Sequence, residues 1–253
     1  MSVVVIGDRQ VGKTSMVIAL HDPGTKHVQV LTDLKKYYNP DTGVIAGTSR
    51  KEEETLLVEV KLPGGERQIQ VHWIDTPGEA WENKEWRKTH LDAWQDMQAK
   101  VSHSQAVLLL LPPQRTMIQP NLLDDKSKPD DFPRPDAWTN NLASWLQFFN
   151  QNCATVQHIL ISIHKADLFC DFQAEAKRWR YEQSKGMRWI EYNEYIRNTY
   201  FNKADQLIRE YNRQHSTSLR FFITTIKNPS LLELPWIHLA SYLAHSKNDS
   251  PNS

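Results

Sequence analysis

Residues 7–14 form a glycine-containing segment whose spacing could bind phosphate. They match the pattern Gly-x-x-x-x-Gly-Lys-Thr, follow the apolar residues 3–6 and precede the apolar residues 15–20, which predicts a strand, a loop and a first helix. In such a loop the backbone N–H groups surround phosphate oxygens, and the helix N-terminus adds its positive dipole end. Lys13 would reach the β- and γ-phosphates, and the Thr14 hydroxyl would be a ligand of Mg²⁺. We therefore predict that the chain binds a nucleoside triphosphate, with nucleotide contacts from Gly7, Asp8, Arg9, Gln10, Val11, Gly12, Lys13, Thr14 and Ser15.

A second motif, Asp75-Thr76-Pro77-Gly78, ends the third predicted strand. An acidic residue at a strand end opposite the phosphate loop can hold Mg²⁺ through water, and the Gly78 amide can meet the γ-phosphate. The tetrapeptide could also be an ordinary turn. Its place after a phosphate loop and a predicted hairpin favours the functional interpretation.

In this order the motifs resemble those of the Ras-like branch of the GTPase family, in a divergent bacterial-type form with insertions. The resemblance directs attention to His164-Lys165-Ala166-Asp167, where the family has Asn/Thr-Lys-x-Asp. By analogy, Asp167 would accept hydrogen bonds from guanine N1 and the exocyclic amine, which adenine cannot supply. The stem of Lys165 would lie over the base. His164 departs from the usual Asn, and its imidazole could replace only part of that residue's bonding.

The resemblance extends to Thr224-Thr225-Ile226-Lys227, which is similar to the family's Ser-Ala-Lys loop. In that loop a backbone N–H, here that of Ile226, meets guanine O6. The base contacts that the resemblance implies are therefore His164, Lys165, Asp167, Thr225, Ile226 and Lys227.

The resemblance also implies a threonine that coordinates Mg²⁺ and senses the γ-phosphate. Gly47-Thr48-Ser49-Arg50 resembles a Gly-Thr-Thr-Arg sequence of several bacterial branches and favours Thr48, with Thr42 as the alternative. The expected Mg²⁺ ligands are Thr14, Thr48 and Asp75, and Mg²⁺ is the expected cofactor. The expected catalytic residues are Lys13, Thr48, Gly78 and Glu79.

Two departures from Ras predict slow unaided hydrolysis. Glu79 stands where many Ras-like proteins place a water-orienting Gln, and the γ-phosphate would repel its ionised carboxylate. Arg9 occupies a position that is Gly in Ras, where a long side chain can crowd the attacking water. We hypothesise that the two side chains approach each other over the triphosphate; the alternative is that both point to solvent.

The fold class predicted from these segments is α/β: a three-layer P-loop GTPase fold with a six-stranded, mostly parallel sheet, one antiparallel hairpin and helices on both faces. The turn sequence Pro63-Gly64-Gly65-Glu66 predicts the hairpin, and the other strands alternate with helical stretches. Residues 21–54 are expected to form a long polar connection. The six predicted strands are Val3–Ile6, Thr55–Leu62, Gln68–Ile74, Ala106–Leu111, Gln157–Ile163 and Leu219–Thr225.

Residues 1–246 are expected to form a single domain with two insertions, followed by a disordered tail at 247–253. The insertion at about 112–137 is rich in proline and predicts an exposed, poorly structured loop. The insertion at about 171–215 is charged and rich in aromatic residues, and it predicts one or two added helices. No internal repeat is expected.

Composition narrows the class of partner. Lys plus Arg and Asp plus Glu both number 30, so net charge favours neither nucleic acid nor a membrane surface. The two cysteines have no metal or redox spacing and suit a reducing cytoplasm. No signal peptide, lipidation motif or membrane-spanning segment is expected, so no direct membrane anchor is predicted.

Aromatic residues indicate where a protein partner could bind. Trp81, Trp86 and Trp94 follow Gly78, where the family's second switch would fall, and they form either an effector surface or part of the core. The 171–215 insertion mixes Arg-Trp pairs with several acidic residues. That pattern favours a protein effector or regulator over nucleic acid.

The predicted function is a Mg²⁺-dependent, GTP-binding and GTP-hydrolysing molecular switch in the cytoplasm, whose GTP or GDP state controls partner binding. Two alternatives remain open from the sequence. One is a nucleotide-binding assembly module with little turnover, which Arg9 and Glu79 favour. The other is an adenine-specific P-loop ATPase, at which His164 hints.

Overall fold

The computed structural model of the chain describes residues 2–8, 10–34, 53–74, 84–124, 127–153, 156–215 and 219–245. Several predicted features lie outside these ranges: Arg9, Thr42, Thr48, Asp75, Gly78, Glu79, Trp81 and the tail at 247–253.

A mixed β-sheet forms the centre of the described fold. From one edge to the other its strands are β2 (Val28–Val30), β3 (Glu53–Leu62), β4 (Gly65–Ile74), β1 (Ser2–Gly7), β5 (Ala106–Leu111), β6 (His158–Ile163) and β7 (Leu219–Ile223). Strands β4, β1, β5, β6 and β7 run parallel, and β3 pairs antiparallel with both β2 and β4. The α/β class and the mostly parallel sheet are confirmed.

The prediction of six strands is wrong, because β2 adds a seventh within the segment expected to be a polar connection. Its sequence is Val28-Gln29-Val30, with both valines buried and the glutamine exposed. Val28 pairs with Val60, and Val30 pairs with Val58. Three residues are too few for an alternating pattern to stand out in a sequence, and the strand exists because β3 offers it a partner.

The predicted hairpin is confirmed between β3 and β4. Leu62 pairs directly with Gly65, so the turn consists of Pro63 and Gly64. Gly65 has φ +108°, a left-handed value that favours glycine at the start of β4.

Helices cover both faces of the sheet. Within the described residues they are α1 (Lys13–His21), α2 (Lys84–Thr89), α3 (Leu91–Ser102), α4 (Pro135–Asn152), α5 (Phe172–Arg178), α6 (Trp189–Tyr200), α7 (Asp205–Gln214) and α8 (Pro229–His245). None of them is long and apolar enough to cross a membrane.

Two neighbouring residues of β7 show the three layers, since successive side chains of a strand point to opposite faces. Phe222 contacts His238 of α8 at a ring-centroid distance of 5.5 Å. Phe221 contacts Phe201 at 4.7 Å, and Phe201 in turn contacts Trp138 of α4 at 5.9 Å. The sheet therefore lies between α8 on one side and α4 on the other.

The first insertion is more ordered than the predicted loop. Its described residues, 112–124 and 127–137, contain three 3-10 turns, at Arg115–Met117, Pro120–Leu122 and Pro129–Asp131, and the last of these residues begin α4. Arg115 holds the segment together, because its guanidinium pairs with Asp130 at 2.7 Å and its backbone N–H donates to the Pro133 carbonyl. Prolines that looked like loop residues instead begin turns and a helix, where their missing N–H is not needed.

The second insertion also contains more regular structure than the sequence predicted. It contains three helices, α5, α6 and α7, together with a 3-10 turn at Asn202–Ala204, rather than one or two helices. Arg188 and Phe201 flank α6 on either side, and neither has helical backbone angles.

Candidate functional site

The phosphate-loop motif lies between β1 and α1, where the backbone approaches strand β5 closely. Gly7 pairs with Leu110, and a Cβ at Gly7 would lie only 2.3 Å from the Leu110 carbonyl oxygen. The position therefore accepts no side chain without moving one of the strands. This close approach brings the start of the loop to the carboxyl ends of the parallel strands, the usual edge for ligands in open α/β sheets.

Two of the described residues of the loop have left-handed backbone conformations. Gly12 has φ +104° and Gln10 has φ +58°. The value at Gln10 is unusual for a residue with a side chain, and such conformations concentrate at functional sites. Successive turns of this kind produce the concave arrangement of N–H groups that binds anions.

Lys13 is the first residue of α1, and its side chain extends back into the loop. Its side chain is 4% exposed, and its ammonium group donates to the carbonyl oxygens of Gly7 and Asp8, both at 3.0 Å. A buried ammonium needs such acceptors, because an unpaired charge away from water is costly. Thr14 and Ser15 follow in the first helical turn and are partly exposed.

The side chain of Asp8 points out of the loop toward helix α4. Its Oδ2 accepts a hydrogen bond from Asn141 at 2.6 Å, and its Oδ1 accepts one from the Trp145 indole at 3.2 Å. Asp8 is one of the predicted nucleotide contacts. Because both carboxylate oxygens are bound to α4, it is available to a ligand through its backbone rather than through its side chain.

His164 connects the phosphate loop with the two loops predicted to bind the base. Its ring is 2% exposed, and its Nδ1 lies 2.9 Å from the Thr224 hydroxyl. Its ring also packs against Gly12, where an added Cβ would lie 2.9 Å from Cδ2. Burial, followed by the positive charge of Lys165, lowers the pKa of His164 to about 4, so the ring is neutral at pH 7.

Asp167 lies in the 3-10 turn Ala166–Leu168, which follows β6, and is held by the neighbouring loop after β7. Its Oδ1 accepts from the Thr225 hydroxyl at 2.6 Å, and its Oδ2 pairs with the Lys227 ammonium at 2.7 Å. Burial by itself would raise the pKa of this carboxyl, but the hydrogen bonds from Lys227 and Thr225 and the charge of Lys227 outweigh it and lower the pKa. The carboxylate is therefore ionised at neutral pH.

The backbone completes the contact between these two loops. The N–H of Ala166 donates to the Thr224 carbonyl at 3.0 Å, and the N–H of Lys227 donates to the Thr225 hydroxyl at 3.1 Å. Lys165 has a left-handed φ of +60°, and Ile226 is exposed. Burial lowers the pKa of Lys165, while the carboxylates of Asp167 and Asp124 act in the opposite direction.

The structure thus brings three predicted segments to one edge of the sheet: the described part of residues 7–15, residues 164–167 and residues 224–227. Three of the predicted catalytic residues, Thr48, Gly78 and Glu79, lie outside the described residues, as do Arg9 and the predicted metal ligand Asp75. In the part of the chain that the structure describes, no group of three or more His, Cys, Asp or Glu side chains could hold a metal ion.

Sequence reasoning missed several residues that support the site. Asn141 and Trp145 are four positions apart in α4, so they lie on one helix face, but nothing in the sequence connects that face with Asp8. Gln119 of the first insertion also supports the loop after β6 that is predicted to bind the base, since its backbone N–H donates to the Leu168 carbonyl and its side chain donates to the Phe169 carbonyl.

The tryptophans after the second motif differ in exposure. Trp94 is buried and contacts Phe148 at 5.6 Å, so it belongs to the core. Trp86 is partly exposed and stacks on His90 at 4.5 Å, while the Arg87 guanidinium lies 4.4 Å from the Trp94 ring.

Both cysteines, Cys153 and Cys170, are buried and form no disulfide.

No protein-family model matches the chain. No curated protein matches its sequence. Among solved structures, the chain is similar to nucleolar GTP-binding protein 1 from Plasmodium falciparum, with 13% sequence identity and a TM-score of 0.48 over 98% of this chain and 89% of that chain.

Proposed function

We propose that the chain is a guanine-nucleotide-binding switch that binds GTP and GDP with Mg²⁺ and hydrolyses GTP. The observation that carries the proposal is the ionised Asp167 carboxylate, oriented by Thr225 at the same sheet edge as the phosphate loop. His164 contacts both regions, which supports the proposal that the base end and the phosphate end form one site.

The Asp167 carboxylate is suited to guanine for a simple chemical reason. An ionised carboxylate only accepts hydrogen bonds, and guanine presents two adjacent donors, N1–H and the exocyclic amine. Thr225 occupies one acceptor direction of Oδ1, and Lys227 pairs with Oδ2. Since the Lys227 side chain is 58% exposed, it can move into solvent when a base arrives. Adenine has no matching pair of donors, so its binding would leave the carboxylate poorly paired.

The phosphate end is supplied by Lys13 and the loop backbone. The ammonium group is already positioned between two loop carbonyls, and a β- or γ-phosphate oxygen offers a stronger, charge-assisted acceptor. Exchange of a carbonyl for a phosphate oxygen therefore lets the same side chain bind ligand without a large movement. Phosphoryl transfer depends mainly on positioning and on stabilisation of negative charge, which these groups provide.

The proposed metal ligands are consistent with Mg²⁺, because Thr14, Thr48 and Asp75 would offer only oxygen atoms. Thr14 follows Lys13 in the first turn of α1, so we propose that its hydroxyl faces the same phosphates. Bound there, Mg²⁺ would neutralise charge on the phosphate oxygens.

The switch itself would depend on Thr48 and Gly78, which we propose contact the γ-phosphate in the GTP state and release their segments after hydrolysis. Arg9 and Glu79 would make unaided hydrolysis slow. A protein effector or regulator would then bind these segments together with the 171–215 insertion. Single-turnover hydrolysis of GTP distinguishes this switch from an assembly module that only holds nucleotide.

The test is a titration of nucleotide-free protein with GDP, GTP, ADP and ATP in the presence of Mg²⁺, followed by calorimetry. The informative variant is Asp167→Asn, because an amide presents one donor and one acceptor instead of two acceptors. It should bind GDP at least tenfold more weakly and should gain affinity for xanthosine diphosphate, whose C2 carbonyl accepts where the guanine amine donates. The control Asp92→Asn changes an exposed carboxylate of α3 in the same way and should leave both affinities unchanged.

A gain of xanthine binding cannot come from misfolding, so it separates a role in base recognition from a loss of stability. Equal or tighter binding of adenine nucleotides by the unaltered protein would overturn the guanine assignment. Equal loss of GDP affinity in both variants would remove Asp167 from the base site.

A further inference from the structure

The phosphate loop contains a carboxylate, Asp8, in a place where a negative charge should weaken phosphate binding. Two N–H donors hold this carboxylate away from the loop interior: the Asn141 amide at 2.6 Å and the Trp145 indole at 3.2 Å. Both donors lie on helix α4, one turn apart, so a single rigid element binds both oxygens.

The backbone of Asp8 is involved in the loop geometry at the same time. Its carbonyl accepts from the Lys13 ammonium at 3.0 Å and lies 3.5 Å from the Val11 N–H, while its own N–H donates to the Leu110 carbonyl at 3.4 Å. Because side chain and carbonyl belong to one residue, anchoring the carboxylate restricts the direction of the carbonyl. That carbonyl in turn orients the ammonium group proposed to bind phosphate.

The donor side of this contact is rigid. Trp145 is 1% exposed and packs against Phe149 at 6.0 Å and Phe148 at 6.4 Å. An indole enclosed in this way cannot easily follow a displaced carboxylate, so Asp8 must adapt to the helix rather than the reverse.

We propose that Asn141 and Trp145 are positioning residues for nucleotide binding: they hold the Asp8 carboxylate away from the ligand phosphates and orient the loop carbonyl that places Lys13. This inference rests on the proposed nucleotide site. It assigns to helix α4 an influence on phosphate affinity, exerted through Asp8, that no sequence motif indicates.

The central variant is Trp145→Phe, which keeps an aromatic ring and removes the N–H donor. Trp138→Phe is its matched control, because Trp138 lies on the same helix, is also 1% exposed and donates its indole N–H to the Pro112 carbonyl at 2.8 Å, away from Asp8. We expect Trp145→Phe to bind GDP about tenfold more weakly, as loss of a hydrogen bond to a charged group predicts. Trp138→Phe should change GDP affinity less than twofold.

A double variant tests whether the effect passes through the charge of Asp8. In an Asp8→Asn background the charge that must be held is absent, so adding Trp145→Phe should weaken GDP binding less than threefold. A purely structural role of the indole would leave the tenfold effect in place. The variant Asn141→Ala should reproduce the direction of the Trp145→Phe result without altering the aromatic core.

Hydrogen exchange of the phosphate-loop peptide, measured without nucleotide, tests the anchor separately from the proposed function. The amides of residues 10–15 should exchange faster in Trp145→Phe than in the unaltered protein, and at unchanged rates in Trp138→Phe. Unchanged exchange in Trp145→Phe, or equal acceleration in both variants, would overturn the anchor. Failure of the unaltered protein to bind any of the four nucleotides would instead overturn the proposed function and leave the exchange result to decide on the anchor.

Discussion

A buried carboxylate on helix α8 holds the chain at the start of β2, and its removal should cost the protein much of its stability. Glu233 is 2% exposed, and its Oε1 accepts from three consecutive backbone N–H groups, those of Lys26, His27 and Val28, at 2.6, 2.7 and 3.1 Å. One side chain thereby satisfies three donors of a segment more than 200 residues away in sequence.

The magnitude follows from the exposure of those three donors. A hydrogen bond to a charged group contributes about 1.5–3 kcal/mol, but water can reach the partly buried N–H groups of Lys26 and His27 once the carboxylate is gone. The N–H of Val28 is buried and would stay unpaired. We therefore expect Glu233→Ala to lower the free energy of unfolding by about 3–5 kcal/mol in total. Glu233→Gln keeps an acceptor of the same shape and should cost about 1–2 kcal/mol, because only the assistance of the charge is lost.

Urea denaturation measures these changes, and Glu210→Gln provides the control. Glu210 is exposed on α7 and accepts one hydrogen bond from the Gln214 side chain, so its substitution should change the free energy of unfolding by about 0.5 kcal/mol or less. The reasoning is refuted if Glu233→Ala costs less than about 1 kcal/mol, or if the Gln variant is as unstable as the Ala variant.

Two further outcomes follow from the structure. Burial lowers the pKa of His164 to about 4 and that of His238 to about 3, against an ordinary 6.5, so the unfolded chain takes up their protons first on acidification. The stability that the neutral rings contribute should be complete above pH 6.5 and should decrease as the pH falls toward 4, and His164 alone accounts for a loss of about 2 kcal/mol by pH 5. Urea denaturation at each pH should show that His164→Asn reduces the dependence of the free energy of unfolding on pH. An unaltered dependence would contradict the reasoning. Gly7→Ala should lower the melting temperature sharply or prevent folding, because its Cβ would lie 2.3 Å from the Leu110 carbonyl oxygen, whereas Gly64→Ala, with no atom within 4 Å of its Cβ, should melt near the unaltered protein. Equal melting temperatures for the two glycine variants would show that the sheet accommodates the clash.

The sequence by itself predicted the elements whose signal lies in neighbouring residues. Apolar residues at 106–111 and 157–163 predicted buried strands, and the turn sequence at 63–66 predicted the hairpin. The phosphate-loop pattern predicted a strand, a loop and a first helix from residue 15, and the structure has that helix begin two residues earlier, at Lys13. Periodicity, turn residues and motif spacing are local properties, so they survive without knowledge of the fold.

What the sequence missed depended on partners far away in the chain. Strand β2 exists because β3 pairs with it, and the proline-rich insertion is ordered because Arg115 binds residues 15 or more positions later. A three-residue strand and an isolated arginine carry no local signal strong enough to indicate these contacts.

The candidate site likewise depends partly on local sequence and partly on contacts between distant segments. The residue types at 164–167 and 224–227 suggested a base-binding loop, but only the tertiary structure decided that the Asp167 carboxylate is oriented by Thr225. It also decided that His164 is neutral, because burial between Gly12 and Thr224 sets its protonation. Residue identity determines which hydrogen bonds and charges are possible, whereas packing of distant segments determines which of them form and in which protonation state.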